Sequence, residues 1–98
     1  MSNHVRETYE DPARLLRVIS HPVRLAILEI LDENDEICVC HLEAMLGFRQ
    51  AYLSQQLMCL RENDLVSDRR AGRNVYYRIT EKGVISIIQE TKKCTSIK

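Results

Sequence analysis

The chain has 98 residues, 45% of them hydrophobic and 29% charged, which suffices for one small soluble domain but not for two. No apolar run approaches the roughly 18–20 residues of a membrane span, and Met1-Ser2-Asn3-His4-Val5-Arg6-Glu7 lacks the apolar stretch of a secretory signal, so a cytoplasmic protein with no membrane partner is expected. Fourteen basic and fourteen acidic residues cancel, yet residues 32–36 hold four acids in five positions and residues 69–78 hold four arginines and no acid. In a reducing compartment the four cysteines read as thiols, ligands or redox sensors before they read as structural disulfides.

Residues 1–10 carry no apolar period and are expected to form a flexible arm ahead of a domain spanning residues 11–98. Asp11-Pro12 predicts a first helix start, with Leu15, Leu16 and Ile19 on one side. His21-Pro22 predicts a second, and Val23, Ala26, Ile27, Ile30 and Leu31 follow at amphipathic spacing until the acidic stretch ends it. A third helix is expected over 38–46, with Val39, Leu42 and Leu46 inward and Gly47 as a left-handed stop. The fourth runs from Gln50 to about Asn63 through Leu53, Leu57 and Leu60. The period then changes to strands over 65–70 and 74–79, joined by Ala71-Gly72-Arg73. A last helix over 81–93 carries Val84, Ile85, Ile87 and Ile88, with Thr80 as its expected cap. Helix, helix, turn, helix, hairpin is the order of a winged helix-turn-helix: mainly α, about five helices plus a two-stranded β-hairpin wing.

In that arrangement the second helix of the pair enters the major groove of double-stranded DNA. With its leucines inward, Gln50, Tyr52, Ser54, Gln55 and Gln56 are left to face base edges and phosphates. Arg49 at the helix start suits a phosphate or a guanine. Arg69, Arg70, Arg73 and Asn74 belong to the wing, whose arginines would meet flanking backbone. One basic tip and one polar helix make a weak binder, so a homodimer on a palindrome is expected, its recognition helices about 34–36 Å apart.

Cys38-Val39-Cys40 is the most pointed chemical feature. Two positions along a regular helix are about 200° apart, so the thiols meet only if the first turn is unwound. Such soft ligands select As(III), Cd(II), Pb(II), Cu(I) or Zn(II) and exclude Mg and Ca. A helix N-terminus favours thiolate, whereas the upstream acids repel it and attract a cation. His21 before Pro22 reads as a cap or packing residue, and Met45 and Met58 as core or interface.

Ile19-Ser20-His21-Pro22-Val23-Arg24-Leu25-Ala26-Ile27-Leu28 resembles the opening signature of the ArsR/SmtB family of metal-responsive repressors. Glu36-Ile37-Cys38-Val39-Cys40-His41-Leu42 is similar to its Glu-Leu-Cys-Val-Cys-Asp-Leu box. Leu53-Ser54-Gln55-Gln56-Leu57 with Leu60-Arg61 resembles its recognition helix, and Gly72-Arg73-Asn74-Val75-Tyr76-Tyr77 its wing. The likeness covers residues 13 to about 93. It implies a homodimer built from the first and last helices that represses its own operon until an effector binds Cys38 and Cys40.

The pattern departs from the family in places. The third cysteine of arsenic-sensing members is Glu43 here, and the aspartate of the box is His41. Members that borrow ligands from the N-terminal arm would find only His4. Of the last-helix zinc ligands only Glu81 survives; the other positions read Gly83, Cys94 and Ile97. Cys59 lies where one branch has a ligand, but its partner position is Asn63. His4, Cys59 and Cys94, the last from a second subunit, therefore stand as extra ligands beside the Cys38 and Cys40 pair.

Three readings follow. The first is a repressor released by As(III), Cd(II), Pb(II) or Zn(II), with no organic cofactor. The second is the same fold acting without metal as a thiol-based redox or reactive-sulfur sensor, through a disulfide or sulfenic acid at Cys38, Cys40 or Cys59 and released by peroxide or persulfide. The third is a small metal carrier or interaction module on a winged-helix scaffold. An enzyme is not expected, since the chain has no phosphate loop, nucleophile elbow or catalytic histidine pair.

Overall fold

The structure, a computed structural model, describes residues 3–96. Five helices, α1 (Asn3–Ile19), α2 (Pro22–Glu33), α3 (Val39–Leu46), α4 (Gln50–Glu62) and α5 (Gly83–Cys94), surround a sheet of β1 (Ile37–Cys38), β2 (Val66–Ala71) and β3 (Asn74–Ile79). The sheet is antiparallel in the order β1-β3-β2, with Ile37 opposite Tyr77, Cys38 opposite Tyr76 and Arg69 opposite Tyr76. The winged helix expected from the residue pattern is thus present, with one more strand than the pattern predicted.

Leucine and isoleucine spacing builds the core. Ile27, Leu28 and Leu31 of α2, Leu42 of α3 and Leu53, Leu57 and Leu60 of α4 are fully buried. Val84 and Ile88 of α5 close one side, and the inner sheet face adds Ile37, Val66, Tyr77 and Ile79. Strand residues alternate between faces. Glu36, Cys38, Asn74, Tyr76, Ser67 and Arg69 therefore share the opposite, outer face.

Several expected boundaries move. The helix expected to start at Asp11 starts at Asn3 and runs through Pro12. Of residues 1–10, expected as a flexible arm, 1 and 2 lie outside the described residues and 3–10 are helical and exposed. Val5, Tyr9, Ala13 and Leu16 do fall on one helical face, a stripe whose polar neighbours obscure it in the sequence. Pro12 removes the donor for the Thr8 carbonyl, and an interior proline costs about 3 kcal/mol, so this half of α1 calls for external support. The radius of gyration, 15.0 Å, exceeds the roughly 13 Å of a compact 100-residue domain.

Thr80 does not cap α5. Its hydroxyl donates to the Asp64 carbonyl at 3.3 Å, and the helix begins three residues later, where Glu81 accepts from the Gly83 amide at 3.3 Å. His21 does cap α2, its Nδ1 accepting from the Val23 amide at 3.2 Å. Gly47 ends α3 in the left-handed region, φ 77°, as expected. Met45 and Met58 are exposed and so stand outside the core.

Gln56 is the clearest correction on α4. Expected to face DNA, it is 8% exposed and accepts a 2.8 Å hydrogen bond from Arg24 Nε. Positions 53, 56, 57 and 60 form one face of a 3.6-residue helix, so Gln56 falls between inward leucines. Arg24 also donates to the Val18 carbonyl at 2.9 Å, which ties α1, α2 and α4 together. Replacing Gln56 with Ala leaves that guanidinium short of a partner. Urea unfolding should show a loss of about 1–3 kcal/mol; a value within about 0.5 kcal/mol of the parent, typical of surface sites, would contradict this role.

Candidate nucleic-acid interface and thiol site

α3, the left-handed turn at Gly47 and α4 make the helix-turn-helix. At the start of α4, Arg49 occupies the cap position without capping through its side chain, which leaves first-turn amides free for an anion. Arg49, Gln50 and Gln55 are exposed, and Ser54 is half-buried. Tyr52 is half-buried against the core, with its ring 5.0 Å from that of Phe48. Of the six residues expected to face DNA here, Arg49 at the cap and five on α4, Gln56 is buried and Tyr52 packs partly against the core.

The wing is a hairpin in which Ala71 pairs with Asn74, so its loop has two residues rather than three. Gly72 takes φ 64°, and no non-glycine loop residue has positive φ, the pattern of a type II′ turn. Arg70 and Arg73 are exposed and, among the described residues, make no hydrogen bond or ion pair. Arg69 is already engaged. Its Nε and Nη2 each donate to Glu36 at 2.8 Å, and its guanidinium lies 4.9 Å from the Tyr76 ring centre. That forked contact with Arg69 holds the Glu36 carboxyl below the usual carboxylate range.

Cys38 is where the two halves of the molecule meet. Its backbone is extended (φ −74°, ψ 146°), and it pairs with Tyr76 in the sheet. The same residue is the N-cap of α3, its sulfur accepting from the Cys40 amide at 3.2 Å. The third helix therefore begins at Val39 rather than Cys38. This removes the divergence expected of two helical positions, and the sulfurs of Cys38 and Cys40 are joined as a disulfide across a Cα separation of 5.2 Å. Cys38 is 6% exposed, while Cys40 is open to solvent. Asn74, at the base of the wing loop, places Oδ1 3.9 Å from the Cys38 sulfur.

The other expected ligands stay apart. Cys59 is half-buried on α4, Cys94 is exposed at the end of α5, and both are free thiols. His4 lies on the exposed half of α1. Among the described residues no three His, Cys, Asp or Glu side chains gather around one point. Sequence reasoning missed β1 and the Glu36 to Arg69 pair. The β-branched pair Ile37 and Val39 around Cys38 was the signal for the first; nothing local signals a partner 33 residues away.

Residues 21–68 match the family described as bacterial regulatory protein, arsR family. The chain is similar to the biofilm growth-associated repressor of Xylella fastidiosa (strain Temecula1), 41% identical over 78 residues that cover 80% of this chain and 68% of that one. It is also similar to the arsenical resistance operon repressor of Escherichia coli K12, 35% identical over 86 residues that cover 85% and 74%. Among solved structures, the transcriptional repressor BigR from Xylella fastidiosa superposes with a TM-score of 0.82 at 34% identity, covering all of both chains.

Proposed function

This chain belongs to the ArsR family of bacterial regulatory proteins and is a DNA-binding transcriptional repressor, not an enzyme, and we propose that its operator affinity falls when a thiophilic metal or metalloid ion bridges Cys38 and Cys40. One observation carries the proposal: the two sulfurs converge on a residue that belongs to both the sheet and the helix-turn-helix. Two thiolates that close suit As(III), Cd(II), Pb(II) or Zn(II), and the Escherichia coli relative is named for arsenical resistance. A third donor would come from outside the pair, from His4, Cys59 or a second copy's Cys94. The pair acts in its reduced form, the S–S bond having first been opened by a cellular thiol that takes its place as a disulfide, and the two thiolates of Cys38 and Cys40 would then hold the ion. The chain does the rest: a shifted Cys38 loses its cap on α3, which carries α4, and moves β1 against β3, which carries the wing tip.

A second reading is supported by the S–S bond itself, oxidation by a peroxide. One thiolate attacks a peroxide oxygen, the O–O bond breaks, and hydroxide leaves a sulfenic acid. The other thiolate then attacks that sulfur, forms the disulfide and expels a second hydroxide. Two electrons pass from the thiols to the peroxide.

On DNA, α4 lies in the major groove with Arg49, Gln50, Tyr52, Ser54 and Gln55 toward bases and phosphates. Arg70, Arg73 and Asn74 place the wing on flanking backbone. Two copies join through α1 and α5 in the cytoplasm and address a palindrome. The α1 stripe and a groove of about 260 Å³ lined by Leu16, Ile19, Leu25, Ile87 and Ile88 support that contact; Leu16 there is 51% exposed.

Release is read by fluorescence anisotropy on a duplex that the reduced protein selects from a randomised pool. Arsenite, Cd(II), Pb(II), Zn(II) and hydrogen peroxide are added in separate titrations. One ion near stoichiometric amounts should weaken binding by about 5–150-fold. Peroxide alone acting would replace the first reading with the second. Cys38→Ser and Cys40→Ser should bind DNA but resist release, and serine keeps the α3 cap; a normal response in both would refute the site. Leu16→Glu should convert a dimer to a monomer in sedimentation and weaken DNA binding about a hundredfold. A Leu16→Glu protein that still sediments as a dimer would place the interface elsewhere.

A further inference from the structure

Cys38, Tyr76 and Arg69 stand in one row across the three-stranded sheet, Cys38 opposite Tyr76 and Tyr76 opposite Arg69. Directly opposed residues project to the same face. The row therefore runs from the buried Cys38 of the thiol pair to the wing's exposed first strand, on the sheet face opposite Ile37 and Tyr77. Its far end folds back on the near one, because Glu36, two residues before Cys38, takes both fork nitrogens of Arg69 at 2.8 Å. Tyr76 lies beneath the same guanidinium. Arg70 and Arg73 have no such commitments.

We infer that Arg69, counted with the wing's DNA-contacting arginines from sequence, is instead a positioning residue. Clamped by Glu36 and Tyr76, it fixes the wing relative to Cys38 and transmits the state of the thiol pair to the wing tip. The inference rests on the proposed sensing role of Cys38 and Cys40. A guanidinium held at two nitrogens by one carboxylate and seated on a ring has its forked edge and one face already committed, which leaves it poorly placed to neutralise a phosphate as well. The phosphate contacts of the wing then fall to Arg70 and Arg73. A displaced Cys38 drags Glu36 along β1, and the clamp converts that shift into a new angle of the hairpin.

Salt dependence separates a phosphate contact from a clamp. Affinity for the selected duplex is measured from 50 to 200 mM salt, the usual range for such slopes, for wild type, Arg73→Ala, Arg69→Ala, Arg69→Lys and Glu36→Gln. Each is measured reduced and with whichever ion or peroxide releases wild type. Arg73→Ala should flatten the slope by about 0.9 per subunit on the DNA, whereas Arg69→Ala should leave it at the wild-type value. Arg69→Ala, Arg69→Lys and Glu36→Gln should each shrink the release ratio toward one, from a wild-type value of about fivefold or more. Lysine keeps the charge but not the fork, so a full response in Arg69→Lys would overturn the clamp. So would a slope lowered by about 0.9 in Arg69→Ala, as for a phosphate ligand. A wild type that nothing releases would refute the sensor reading itself and the coupling with it. A responsive wild type beside fully responsive variants would refute the coupling alone.

Discussion

The arrangement depends on the backbone of one residue. Because Cys38 is extended rather than helical, its main chain can join the sheet while its side chain caps the next helix. A helical Cys38 would send its thiol around the helix, away from Cys40, and leave β3 without its short partner strand. Extended geometry at an N-cap is ordinary; its use as the last residue of a strand makes one position answerable to both DNA-facing elements. α3 positions α4 through the left-handed turn at Gly47, and β3 leads back to the loop that carries Arg73. Few residues in so small a core could be displaced with effect on both.

Charge is arranged to match. The acidic and basic runs cancel in sum, yet they meet at the joint, where Glu36 holds Arg69. The free arginines lie farther along the hairpin. An exposed ion pair adds little stability, so its value here is geometric: it fixes the orientation of a two-stranded ribbon that twists readily. α5 is tied in separately, Lys92 reaching Glu29 of α2 at 3.0 Å.

Much of the fold was legible in the residues. Leu53, Leu57 and Leu60 named the inward face of α4, Gly47 named the stop of α3, and the wing strands were placed within a residue of their ends. These are local signals, each repeated over several residues. What escaped was short or non-local. A two-residue strand has no periodicity, and its existence depends on β3 lying beside it. Gln56 was read as polar and therefore outward, but its burial depends on Arg24, 32 positions earlier. The first half of α1 was hidden by its exposed surface and by Pro12, which ordinarily marks a helix start. At the thiol site the residue identities were plain while their convergence was not, because that required knowing where α3 begins.

Hydrogen exchange of the backbone amides, compared between the reduced protein and the same protein oxidised at Cys38 and Cys40, tests the central claim most directly. The account predicts altered protection in two separate places, β3 over 74–79 and the start of α4 over 50–53, alongside the change at 36–41. A difference confined to residues 36–41 would contradict it: the thiol pair would then be a local feature, uncoupled from both the recognition helix and the wing.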